Sequence, residues 1–112
     1  MQHKIKVSKT ATYHTEGNLK TAKTIWVVLH GYGMLAEFFI RKFNPILNDT
    51  TCIIAPEGLS KFYSKGFNGR VGATWMTKKD REDEIEDYIN YLNQLHEEIL
   101  STNTSETVKI NV

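Results

Sequence analysis

Two unbroken apolar runs divide this chain, one ending in a glycine turn and the other in a proline. Ile25, Trp26, Val27, Val28 and Leu29 follow one another without polar alternation and lead into His30-Gly31-Tyr32-Gly33. A run of that kind, mostly β-branched or aromatic, predicts a strand covered on both faces, as in a parallel sheet. Thr50 to Pro56, TTCIIAP, reads as a second such strand, closed by Pro56 and Gly58. Between them Leu35, Phe38, Phe39, Phe43 and Ile46 recur close to helical spacing. A helix is therefore expected over Met34 to Leu47, limited by Pro45 and turned out by Asn48-Asp49. Strand, helix and strand make a βαβ unit, so the two strands should run parallel.

The flanking segments carry weaker patterns. From His3 to Glu16, Ile5, Val7, Ala11 and Tyr13 alternate with polar residues, which predicts a half-exposed strand or strand pair at a sheet edge, protected by its lysines. Leu59 to Thr77 is the longest stretch without a period. It is rich in glycine and carries Phe62, Tyr63, Phe67, Trp75 and Met76, so it is expected to be a loop that lines something at the carboxyl end of a parallel strand. Thr77 to Leu100 is the clearest helix, with Thr77 as its N-cap, Asp80 three residues on, and one apolar stripe of Ile85, Tyr88, Ile89, Leu92, Leu95 and Ile99. The carboxylates Glu82, Asp83, Glu86 and Asp87 then face solvent. After a polar turn at Ser101 to Thr107, Val108 to Val112 begins a third core strand. The expectation is an α/β fold in one domain over residues 1–112. Edge strands occupy 1–24 and a βαβ core 25–112, with a mostly parallel sheet and flanking helices.

Composition narrows the partners. A chain of 112 residues with 40% hydrophobic content holds one core, and a formal charge of +1 lacks the concentrated basic surface that nucleic acid requires. The lysines Lys4, Lys6, Lys9, Lys20 and Lys23 gather in the first two dozen residues, and Asp80 to Glu98 is acidic. These are read as solvated faces. The single cysteine, Cys52, sits in an apolar run and is read as a buried structural thiol. No stretch has signal-peptide or membrane-spanning character, so a cytoplasmic protein is the default expectation and no membrane span is expected.

The chemistry centres on the glycine turn. His3, His14 and His96 have no acidic or cysteine partner at ligand spacing, so no metal is expected, and nothing calls for an organic cofactor. His30 as a general base would need a nucleophile and an orienting carboxylate; as a support that holds the turn through its ring nitrogens it needs neither, and that role is preferred. The turn itself matches neither a Walker pattern nor G-x-G-x-x-G. It can be a tight turn alone, or half of an oxyanion hole whose other donor follows a G-x-S-x-G serine.

VLHGYG after an apolar strand, then CIIAPEG, then NGRVGATWMT, then a long acidic helix, resembles the phospholipase/carboxylesterase branch of the α/β-hydrolase superfamily, relatives of acyl-protein thioesterases. The resemblance covers roughly Ile25 to Val112 and departs at Met34, where many relatives have an acidic residue. It implies the N-terminal half of an α/β-hydrolase fold and a serine esterase acting on a small acyl ester or thioester. Tyr32 would supply a backbone N–H to the oxyanion hole, Gly31 and Gly33 would allow the turn with His30 supporting it, and Phe62, Tyr63, Trp75 and Met76 would wall the acyl pocket. In that family VKINV leads into the nucleophile elbow. The catalytic serine, aspartate and histidine would therefore lie beyond Val112, with no catalytic residue and no turnover in this chain alone. With its later neighbours missing, Val108 to Val112 would be an exposed edge beside Ile25 to Leu29 and a route to self-association. The alternative is a non-catalytic binding or interaction module on the same scaffold.

Overall fold

A computed structural model describes the backbone of every residue except 68, 106 and 107, and the side chains of all those except 65–67. Strands β1 (Tyr13–Glu16), β2 (Thr24–Val27), β3 (Thr51–Pro56) and β6 (Lys109–Asn111) form one sheet in the order β1-β3-β2-β6. The pairs β2/β3 and β2/β6 are parallel, with Ile25 opposite Cys52 on one side and Ile110 on the other. β1 is antiparallel to β3, so the sheet is mixed and only partly parallel.

β3 is buried along its whole length, and its side chains alternate between two cores. Cys52 and Ile54 pack with Ile25, Val27, Leu95 and Ile99 beneath the long helix α2 (Arg81–Thr102). Ile53 and Ala55 pack with Ala36 and Ile40 beneath a short helical connection on the other face. Helix, sheet and helix therefore stack as three layers, the α/β arrangement expected. The sheet is not covered evenly. Trp26 shares the Ile53 face, where the short connection does not reach it, and it is 37% exposed. The expectation of a central strand sealed on both faces thus holds for β3 and fails for β2.

Four further local expectations are corrected. Met34 to Leu47 is not one helix: α1 spans only Ala36–Phe39 and continues as a 3₁₀ turn over Ile40–Ile46, because Pro45 has no N–H to sustain the α ladder. The residues it buries are Ala36 and Ile40, leaving Phe38 half exposed. Residues 1–12 form no strand. Ile5 and Val7 alternate correctly but meet no apolar surface, and the segment is held to α2 by ion pairs from Lys4 to Asp83 and from Lys6 to Glu86. Ile89, assigned to the α2 stripe, is 47% exposed, and Tyr91 packs on the core beside the stripe.

The fourth correction concerns Leu59 to Thr77, which is a β-hairpin of β4 (Ser60–Phe67) and β5 (Val71–Thr74), paired from Ser60 with Thr74 to Tyr63 with Val71. Its glycines hide the strand pattern. Gly72 has to be glycine because a Cβ there would lie 2.6 Å from the carbonyl oxygen of Gly33, so β5 is pressed directly against the glycine turn.

Candidate functional site

The turn at residues 30–34 follows the carboxyl end of β2, in the middle of the sheet, and is fixed from three directions. Met34 N–H donates to the Gly31 carbonyl at 3.2 Å and closes the turn. Gly33, at φ +75°, donates to the Ala73 carbonyl at 2.9 Å, and Ala73 N–H returns a bond to the Met34 carbonyl at 3.1 Å. The hairpin thus clasps the turn as an added strand would. Gly33 needs glycine for its left-handed backbone. Gly31 has an ordinary φ, and a Cβ there would meet only Met34 Sδ at 3.5 Å.

His30 is buried beneath this turn. Its Nε2 accepts the Gly58 N–H at 2.9 Å, so Nε2 is unprotonated; Nδ1 carries the hydrogen and donates to the Gly31 carbonyl at 2.8 Å. Trp75 stacks on the imidazole at 5.2 Å between ring centroids, and its indole N–H donates to the His30 carbonyl at 3.0 Å. Both ring nitrogens are engaged within the fold, one with the Gly58 amide and one with the Gly31 carbonyl.

The consequence is an open amide. Of the three successive N–H groups at 32–34, those of Gly33 and Met34 are bonded, while Tyr32 N–H meets no acceptor among the described residues. The Tyr32 side chain is 76% exposed and stacks on Phe62 at 5.1 Å.

The residues expected to wall an acyl pocket fall in different places. Phe62 borders the turn. Tyr63 follows it on β4 and so points from the opposite face of the hairpin, 54% exposed. Trp75 belongs to the support of His30, with Tyr88 edge-on to it at 6.0 Å. Met76 is 37% exposed at the end of the hairpin, and the side chain of Phe67 lies outside the described residues. A cleft of about 530 Å³ does open beside the turn, lined by Gly33, Met34, Leu35 and Phe38 and by Arg70 and Val71 of the hairpin.

Two carboxylates that sequence reading passed over hold this region together. Glu57 is 6% exposed; its Oε1 accepts the Ala36 N–H at 3.2 Å, at the start of α1, and its Oε2 pairs with Lys61 Nζ at 3.3 Å. With Gly58 bonded to His30, the dipeptide Glu57-Gly58 ties down both ends of the segment that bears the turn. Glu84 on α2 accepts the Thr77 N–H at 2.9 Å, the Thr77 hydroxyl at 2.6 Å and the Ser60 hydroxyl at 2.8 Å. Burial opposes its ionisation, but these hydrogen bonds outweigh that and hold its carboxyl below the usual value. Thr77 is therefore bonded to Glu84 and is not the N-cap. Asp80 occupies that position at φ +56°, with no side-chain cap bond. Neither role is set by neighbours in the chain alone: Glu57 reaches back 21 positions to Ala36, and Glu84 reaches back 7 to Thr77 and 24 to Ser60.

Among the described residues no group of three or more His, Cys, Asp or Glu side chains is arranged to hold a metal ion, and no helix is long and apolar enough to cross a membrane. No protein-family model and no curated protein matches this chain.

Proposed function

We propose that this chain carries the oxyanion-binding turn of a serine carboxylic-ester hydrolase of the α/β-hydrolase type, acting on a small acyl ester or thioester. One observation carries the reading: Tyr32 N–H meets no acceptor among the described residues while the amides of Gly33 and Met34 are bonded, at the carboxyl end of a central parallel strand. A backbone donor fixed in that way needs no reorganisation when charge develops on a carbonyl oxygen. The clasp from β5 and the His30 support supply the fixing.

In this reading the Tyr32 amide stabilises the tetrahedral oxyanion, Gly31 leaves room for the carbonyl to approach, and the nucleophile comes from an elbow outside these 112 residues. The sequence contains no G-x-S-x-G. The 112-residue chain alone should not turn over.

The test is hydrolysis of p-nitrophenyl esters by a protein holding both this chain and such an elbow. Activity abolished by a serine-directed phosphonate, and lowered roughly 100- to 1,000-fold in kcat by Tyr32→Pro, is the expected result. A chelator-sensitive, phosphonate-resistant activity would overturn it.

A further inference from the structure

We propose that the cleft beside the glycine turn is a binding site for an amphiphile with one apolar chain and an anionic head, the head held by Lys42 and Arg70. The proposal stands on the cleft and does not depend on the ester-hydrolase reading.

Three observations meet here. The floor is apolar, made by Met34, Leu35, Phe38 and Phe39, and Val71 of the hairpin adds a wall. Phe38 and Val71 are 49% and 42% exposed, so apolar surface stands uncovered inside a concavity. A ligand chain that covers it gains the transfer free energy the protein leaves unused. At about 530 Å³ the cleft lies in the size range of small-molecule sites.

The charge at the rim is of one sign. Among the described residues Lys42 and Arg70 line the cleft and no carboxylate does. The ion pairs among the described residues use Lys4, Lys6 and Lys61, and none engages Lys42 or Arg70. Lys42 Nζ instead lies 5.6 Å from the centroid of the Phe39 ring, which keeps the ammonium over the floor. An anion therefore enters without displacing an internal partner, and the Ser64 hydroxyl, also in the lining, offers it a hydrogen bond. A neutral molecule of the same length gains only the apolar part, and a cation is repelled.

The experiment is a calorimetric titration of the 112-residue chain with decanoate and decyltrimethylammonium, each below its micelle concentration, and with decanol below its solubility limit. Decanoate should bind roughly tenfold more tightly than decanol, and the cation more weakly than either. The double variant Lys42→Gln/Arg70→Gln alters only surface charge and should keep the wild-type thermal midpoint. It should lose the decanoate preference while binding decanol as before, and Phe38→Asp should weaken both ligands. Equal affinity for decanoate and decanol, a preference that survives the double variant, or no saturable binding would overturn the proposal. The titration needs no turnover. An esterase that hydrolyses esters without this charge preference would sink the anion site and leave the oxyanion turn standing, and decanoate binding by a protein that never hydrolyses esters would do the reverse.

Discussion

Gly58 donates its backbone N–H to Nε2 of His30, 28 residues earlier in the chain, at 2.9 Å. The bond joins the two parallel strands just beyond their carboxyl ends and fixes the imidazole as the Nδ1–H tautomer. Because Gly58 is buried, its amide has no water to turn to if the ring is removed. His30→Ala is therefore expected to destabilise the fold by about 2–4 kcal/mol, combining an unsatisfied buried donor with a cavity against Trp75. His30→Gln, which keeps an acceptor, should cost less. Urea unfolding midpoints of the two variants check this, and equal losses would show that the Gly58 bond contributes nothing.

Gly72 is pressed against the glycine turn and Gly31 lies within it, and the two should answer differently to the same substitution. A Cβ at Gly72 would sit 2.6 Å from the Gly33 carbonyl oxygen, and backbone atoms cannot yield as a side chain can. Gly72→Ala should lower stability by about 1–3 kcal/mol as β5 is forced off the turn. Gly31→Ala meets only Met34 Sδ at 3.5 Å and should change stability by no more than about 0.5 kcal/mol. Differential scanning calorimetry of both variants reads the contrast. A neutral Gly72→Ala would mean that the hairpin does not clasp the turn.

This contrast also marks what the sequence could reveal. The strand pair β2/β3 was legible as two unbroken apolar runs, and the parallel partner β6 and the long helix α2 through their apolar periods, patterns that lie within each element whatever it packs against. The hairpin was not legible. Gly72 is there for a contact with Gly33, 39 positions away in the chain, and its lack of a side chain erases the alternation that would have announced a strand. Ile5 and Val7 show the opposite failure: a clean alternation with no surface to bury against, so no strand forms. At the site, the HGYG turn could be picked out from its residues. The buried Glu57 could not, since its bond to the Ala36 N–H spans 21 positions and only the fold brings the two together.

Alkaline pH should weaken the fold through two groups, the buried Cys52 and the half-buried Tyr91. Burial pushes the Cys52 thiol up from 9.0 to about 11. Burial first, and then the negative charge that Tyr13, Glu57 and Glu98 can carry, pushes the Tyr91 phenol up from 10.0 to about 12. Both are neutral when protonated and hold their protons more tightly folded than unfolded. Their contribution is therefore fully present below about pH 9 and is lost progressively as the pH climbs through the folded values, toward about pH 12. Urea midpoints should fall steadily over that window. Tyr91→Phe should flatten the upper part, at the cost of the hydroxyl bond to the Thr12 carbonyl. Cys52, fully enclosed, should react with iodoacetamide at pH 8 only at the rate of unfolding; rapid labelling of the folded chain would contradict the burial.

The last prediction concerns the sheet edge at β6. β6 pairs with β2 alone among the described residues, and Lys109 directs its N–H to the Lys23 carbonyl at 2.9 Å. Alternation then turns the amides of Ile110 and Val112 outward, away from β2. Beside them a groove of about 360 Å³ runs between the strand and α2, lined by Leu92, Leu95, Ile99, Ile110 and Val112. Leu29 and Val112 are 41% and 87% exposed, so unpaired backbone and uncovered apolar surface coincide at one edge. That combination recruits another strand. The 112-residue chain is expected to self-associate, with a weight-average mass in sedimentation equilibrium that rises above 12.9 kDa as concentration increases. Val112→Lys, which places a charge on the edge, should return it toward the monomer, and added salt should not, because the driving force is burial and not ion pairing. A monomer that persists over a wide concentration range would show that this edge is closed to other chains.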